Sequence, residues 1–231
     1  GESLFITDGG LETSLVFNER MELPEFAAFV LLESERGRAI LTNYFRRYLD
    51  IAAANRLGII LETPTWRASH GWGNKTGHAP EDLEQINLDA VQLLAGLRAA
   101  HETQDTPVVI SGCIGPRGDG YVIDEKLSVD EAAAYIAIQI NTLGRTEAVL
   151  VTAFTLNHTE EGLGMTRAAA NADMTVVIGF TVETDGRLPS GQSLAEAIEE
   201  VDSESEVAPV YYMINCAHPT HFRDALAGND P

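Results

Sequence analysis

Short apolar runs alternate along this chain with longer stretches in which apolar residues recur every three or four positions. Leu4 to Ile6 is the first short run and closes on Thr7-Asp8-Gly9-Gly10. From Pro24 to Arg56, residues such as Phe26, Phe29, Ile40, Tyr44, Phe45, Tyr48 and Ile51 fall at helical intervals, which predicts one long helix. Gly58 to Thr63 is a second strand. Pro80 to Thr103 predicts a helix, with proline at its start and acidic residues in its first turn. Val108 to Ser111 is a third strand and runs into a glycine-rich loop, Gly112 to Gly120. Ser128 with Glu131 has the spacing of a capping box, opening a helix to about Leu143. Ala148 to Thr152 (strand), Glu160 to Ala172 (helix) and Thr175 to Thr181 (strand) follow. A polar loop, Glu183 to Ser193, then precedes a helix from Leu194 to Val201, a strand from Val210 to Ile214 and a helix starting at Pro219.

Strand and helix alternate six times, the pattern of parallel βαβ units. The loops with chemical character all follow strand ends, where open sheets and barrels both place their sites. Chemistry on every strand end suits a ring better, so the expected fold class is α/β, a (β/α)8 TIM barrel. A complete barrel needs eight units and about 250 residues, and this sequence carries about six. No composition shift divides it, so residues 1–231 read as a single domain lacking its last two units.

Charge narrows the function classes. Lys and Arg total 15 against 35 Asp and Glu, a net charge of −20. Nucleic-acid binding through a basic patch is excluded, and docking on an anionic membrane is disfavoured. The two lysines, Lys75 and Lys126, give an acidic, lysine-poor composition. Salt adaptation and biased base composition both account for it. Cys113 and Cys216 are too few for a disulfide framework. The start, Gly1 to Ile6, lacks the pattern of a secretory signal, and no apolar run reaches the ~20 residues of a membrane span. The expectation is a cytoplasmic protein.

Three segments carry a resemblance. Thr7-Asp8-Gly9-Gly10-Leu11-Glu12-Thr13, Ser190-Gly191-Gln192-Ser193 and Ile214-Asn215-Cys216 together resemble the homocysteine S-methyltransferase family. That resemblance implies a zinc-dependent barrel enzyme that moves a methyl group onto the thiol of homocysteine, giving methionine. It implies that Asp8, Gly9 and Gly10 receive the substrate amino acid and that Cys216 is a Zn2+ ligand; Asn215, beside Cys216, reads equally as a residue that orients substrate or its surroundings and as a simple cap on the strand end. The chemistry is coherent, because a thiol is mostly protonated at neutral pH and zinc deprotonates it outright. A catalytic zinc takes three protein ligands. The resemblance places the other two in an adjacent cysteine pair after the eighth strand, which this sequence lacks. They are expected in a missing C-terminal part. The implied partners are a thiol amino acid and a methyl donor, with a homo-oligomer allowed. A sulfonium donor, S-methylmethionine or S-adenosylmethionine, is favoured because no folate or cobalamin module is visible.

Other features weigh against or beside this reading. Many family members carry a glutamate after the fourth strand for the substrate ammonium, and Phe154 takes that place here; Glu12 or Glu183 could compensate. Cys113 reads as strand-end packing, and His218 and His221 as a solvated helix start. Gly112 to Gly120 lacks the lysine of a phosphate loop and would line the methyl-donor side, with Arg117 as a contact. Trp66, Trp72 and Arg67 read equally as another wall or as rim packing. The alternative function is a degenerate, metal-free barrel that binds an amino acid or a protein without turnover.

Overall fold

The structure is a computed structural model that describes residues 4–123 and 126–227. Gly1 to Ser3, read above as unlike a secretory start, and Gly228 to Pro231, where the expected missing part would follow, lie outside the described residues. So do Asp124 and Glu125. The strands are β1 (Phe5–Thr7), β2 (Gly58–Glu62), β3 (Val108–Ile114), β4 (Leu150–Leu156), β5 (Thr175–Phe180) and β6 (Tyr212–Ile214). The helices are α1 (Leu11–Thr13), α2 (Glu35–Asn55), α3 (His70–Thr76), α4 (Pro80–His101), α5 (Val129–Leu143), α6 (Thr159–Asn171), α7 (Leu194–Glu204) and α8 (Pro219–Leu226). The expected α/β class is observed. The chain packs as two compact units, Gly1–Cys113 with Thr142–Leu150, and Ile114–Asn141 with Val151–Pro231.

In the first unit β1 lies parallel to β2, with Phe5 opposite Gly58, and β2 parallel to β3, with Ile59 opposite Val108. Ile59, Leu61 and Ile110 are fully buried, as expected for parallel strands covered on both faces. A Cβ on Gly58 would fall 2.4 Å from the Phe5 ring, so the ring packs where only glycine leaves room. The long helix expected from Pro24 begins instead at Glu35. Residues 24–33 form two 3-10 turns, because Glu25 (φ 51°) and Phe26 (φ 60°) leave the helical region. Ser34 then turns extended, and its hydroxyl accepts the Gly37 N–H at 3.0 Å, capping α2. Leu41, Tyr44, Phe45 and Leu49 form the buried stripe of that helix. Gly112 and Cys113 belong to β3, so the glycine-rich loop starts only after Ile114.

In the second unit β5 and β6 run parallel, Phe180 opposite Ile214, and the Phe180 ring stacks on Tyr212 at 6.3 Å. The capping box expected at Ser128 and Glu131 is formed: Glu131 N–H donates to the Ser128 hydroxyl at 3.3 Å, and Ser128 N–H to the Glu131 carboxylate at 2.9 Å. Ser193 and Glu196 repeat it at α7. β4 runs to Leu156, past the expected end at Thr152, which makes Phe154 and Thr155 strand residues.

Candidate functional site

In the first unit the chain leaves β1 at Asp8, which is buried. Its Oδ1 accepts the Glu62 N–H at 2.8 Å, and its Oδ2 lies 3.2 Å from the Tyr44 hydroxyl. Tyr44 and Tyr48, one turn apart on α2, each donate to the Gly9 carbonyl at 2.8 Å. They hold the Gly9 peptide while both glycines stay exposed. Gly10 sits at φ 67° and turns the chain into α1, a conformation suited to glycine. A Cβ built on Gly9 would meet nothing within 4 Å, so open space borders this backbone.

Burial pushes the Asp8 carboxyl up to about 7, against the hydrogen bonds from Glu62 and Tyr44. Glu12 is also pushed up to about 7, chiefly by burial; the nearby Asp8 charge adds to this and Arg67 opposes it. The Arg67 guanidinium lies 4.4 Å from the centre of the Trp66 ring and 3.4 Å from that of Trp72, with Lys75 Nζ 3.8 Å from Trp72. Both cations lie over tryptophan faces, and Arg67 sets positive charge near Glu12. Cys113 serves through its backbone: its N–H donates to Thr63 Oγ1 at 2.8 Å and its carbonyl accepts from Thr65 Oγ1 at 2.7 Å.

In the second unit Asn215 and Cys216 follow β6. Asn215 Oδ1 accepts the Thr155 N–H at 3.1 Å, and its Nδ2 donates to Thr155 Oγ1 at 2.8 Å and to Cys216 Sγ at 3.2 Å. Thr155 Oγ1 is 3.4 Å from the same sulfur. Cys216 is exposed at φ 55°. His218 caps α8, its Nδ1 accepting the Thr220 N–H at 3.3 Å, in keeping with a helix-start histidine. Among the described residues no three of His, Cys, Asp and Glu converge to hold a metal. Cys216 is a single soft donor where a catalytic zinc takes three. The described residues do not by themselves make a zinc site.

The loop after β3 is held by the start of α6. Glu161 accepts the Arg117 N–H at 2.9 Å, and Asn157 Nδ2 donates to the Asp119 carbonyl at 3.1 Å. Burial pushes the Glu161 carboxyl up and the His158 imidazole down. Glu183 is exposed in a tight turn whose N–H donates to the Arg187 carbonyl at 2.8 Å. Sequence reasoning missed Tyr44, Tyr48, Thr155 and Glu161. The i, i+4 spacing of the tyrosines was visible, but it is also the spacing of a core stripe.

No helix among the described residues is long and apolar enough to cross a membrane. The profile of the homocysteine S-methyltransferase family matches residues 5–229. No curated protein sequence matches the chain. The metallated crystal form of the homocysteine methyltransferase MmuM from Escherichia coli superposes with a TM-score of 0.77 at 21% identity, covering 99% of this chain and 80% of that one. Its oxidized form gives 0.78 at 18% identity, over 98% and 78%. At these identities the likeness shows the fold, and it agrees with the barrel-type α/β architecture expected from the strand–helix alternation. A family match over nearly the whole chain shows more: the chain belongs to the homocysteine S-methyltransferase family.

Proposed function

We propose that this protein transfers a methyl group from a sulfonium donor, S-methylmethionine or S-adenosylmethionine, to the thiol of homocysteine or a close analogue. The observation that carries this reading is the family match over residues 5–229. The Asp8 arrangement supports it. A zwitterionic amino acid needs both its charges answered, and Asp8 offers a carboxylate to the ammonium beside exposed backbone at Gly9 and Gly10. Ammonium binding favours the ionised form of a carboxyl that burial otherwise keeps near neutrality.

In the reaction the acceptor sulfur, once deprotonated, attacks the methyl carbon. A new S–C bond forms as the donor's S–C bond breaks, and the donor leaves as a neutral thioether. Such a displacement depends on in-line positioning of the two sulfurs. Cys216 as a zinc ligand belongs to the proposal through the family resemblance at Ile214-Asn215-Cys216. The test pairs a methyl-transfer assay, homocysteine with each donor, with elemental analysis of wild-type and Cys216→Ala protein. Methionine formation is expected, and, in intact protein that also carries the two further cysteines the resemblance implies, bound zinc that Cys216→Ala loses. No methionine from either donor and no zinc in freshly reduced wild type would leave a family fold that binds without turnover.

A further inference from the structure

We propose that Thr155 and Asn215 are positioning residues for Cys216, fixing the direction of its sulfur at the end of β6. The orientation of the Asn215 carboxamide is determined by what it meets. A backbone N–H can only donate, so the Thr155 N–H at 3.1 Å must face Oδ1. Nδ2 is then turned the other way, where its two hydrogens are used: one on Thr155 Oγ1 at 2.8 Å, the other on Cys216 Sγ at 3.2 Å. Having accepted that hydrogen bond, the Thr155 hydroxyl has its own hydrogen left, and Sγ lies 3.4 Å away. The Asn215 amide, which donates, and the Thr155 hydroxyl thus meet one sulfur, one from the end of β6 and one from the end of β4.

The backbone is bent to make this possible. Thr155 stands at φ 64° and Cys216 at φ 55°, in the left-handed region that a β-branched residue such as Thr155 rarely enters. Such strain persists only where the surroundings over-determine it. Gly179 on β5 completes the arrangement. A Cβ there would fall 2.7 Å from Asn215 Oδ1 and 2.8 Å from the Ala153 carbonyl, so the carboxamide fills the space a side chain would take. A simple cap on the strand end would need only the Oδ1 bond and neither of the two Nδ2 bonds.

The bearing of this device on catalysis rests on the methyltransferase reading, but its geometry can be tested without it. The readout is the Hα–Hβ couplings of Cys216 in intact, reduced, cysteine-labelled protein, with Cys216→Ala to assign the signal. Wild type should show one rotamer. Asn215→Ala should average the couplings, and so should Gly179→Ala, which displaces the carboxamide without touching Cys216. Thr155→Ser keeps the hydroxyl and should keep the rotamer, whereas Thr155→Val should lose it. The proposal is overturned if Asn215→Ala and Gly179→Ala retain the wild-type couplings. If those two fail to fold, equal behaviour of Thr155→Ser and Thr155→Val overturns it. In the methyl-transfer assay Asn215→Ala should lower kcat on the order of tenfold, with KM for the amino acid nearly unchanged. Averaged couplings in the variants with an inactive wild type would sink the methyltransferase reading and leave the positioning role intact.

Discussion

The Tyr44 hydroxyl stands 3.2 Å from Asp8 Oδ2 and 2.8 Å from the Gly9 carbonyl oxygen, and its single hydrogen cannot serve both fully. Burial holds the Asp8 carboxyl up near 7, and a Tyr44 hydrogen shared with the Gly9 carbonyl offsets that only in part. Asp8→Asn resolves the conflict. The new Nδ2 can donate to the Tyr44 oxygen, Tyr44 can give its hydrogen to Gly9, and Oδ1 can keep the Glu62 N–H. At pH 8 the variant should be more stable than wild type by on the order of 2–4 kcal/mol in urea unfolding. The difference should shrink as pH falls and vanish below about pH 3, where Asp8 is neutral in both states. Homocysteine binding should fall at least about tenfold, the loss of one charge-assisted contact. A variant less stable than wild type at pH 8 would contradict this account.

The same burial sets a pH dependence. Asp8 and Glu12 titrate near 7 in the folded protein, above their ordinary values of 3.8 and 4.5. Between those limits the unfolded chain has released protons that the folded chain retains. Stability should therefore fall as pH rises from about 4 to about 7, then level off. Substrate binding should run the opposite way, because an ammonium prefers ionised carboxylates: calorimetry in two buffers should show proton release on binding at pH 6 and little at pH 8.5. Asp8→Asn should also lower the pH at which Glu12 titrates, since a like charge is gone. Proton uptake on binding at pH 6 would defeat the assignment of Asp8 to the ammonium.

What the sequence made legible follows from how local each signal is. The Ser128–Glu131 capping box is written in four residues, and the structure forms it as read. Cys113 was readable as packing, because a small apolar residue at a strand end has few other fates. The break at Glu25 and Phe26 was not legible, since both sit in a stretch whose apolar spacing continues helically on either side. Thr155 was missed for the opposite reason. Its local sequence favours a strand, and only the carboxamide of Asn215, sixty residues away, accounts for its left-handed backbone. Likewise Tyr44 and Tyr48 look like core residues until Gly9 is placed against their hydroxyls.

Two glycines in helices should respond in opposite senses to alanine. A Cβ on Gly37, in the first turn of α2, would lie 2.1 Å from the Leu31 carbonyl oxygen. Backbone must move to admit it, so Gly37→Ala should destabilise by about 1–3 kcal/mol or more. Gly96, exposed toward the C-terminal end of α4 but still inside the helix, has nothing within 4 Å of such a Cβ. Gly96→Ala should stabilise by about 0.5–1 kcal/mol by restricting the unfolded chain and improving helix propensity. Thermal unfolding of the pair checks both, and a destabilised Gly96→Ala would mean that this face of α4 is covered in solution.

The surplus of negative charge makes a further prediction about salt. Arg38–Asp89, Arg56–Asp105 and Arg145–Glu84 form exposed pairs at 2.7, 2.8 and 2.7 Å. Exposed pairs contribute about 0–1 kcal/mol each, and salt weakens them. Salt also weakens the repulsion within the net charge of −20. With 15 cationic side chains against 35 carboxylates, most carboxylates have no cation to lose and many like charges to be relieved of. Repulsion should therefore dominate the balance. Raising NaCl from about 0.1 M to 1 M shortens the screening length from about 10 Å to about 3 Å. At pH 7.5 this should raise Tm by several degrees, since for a chain of this size about 1 kcal/mol corresponds to roughly 2–4 °C. Near pH 4.5, the isoelectric point of the sequence, the same addition should leave Tm almost unchanged. A Tm that falls with NaCl at pH 7.5 would show that the arginine pairs outweigh the surplus; an equal rise at both pH values would show that the salt acts on apolar surface and not on charge.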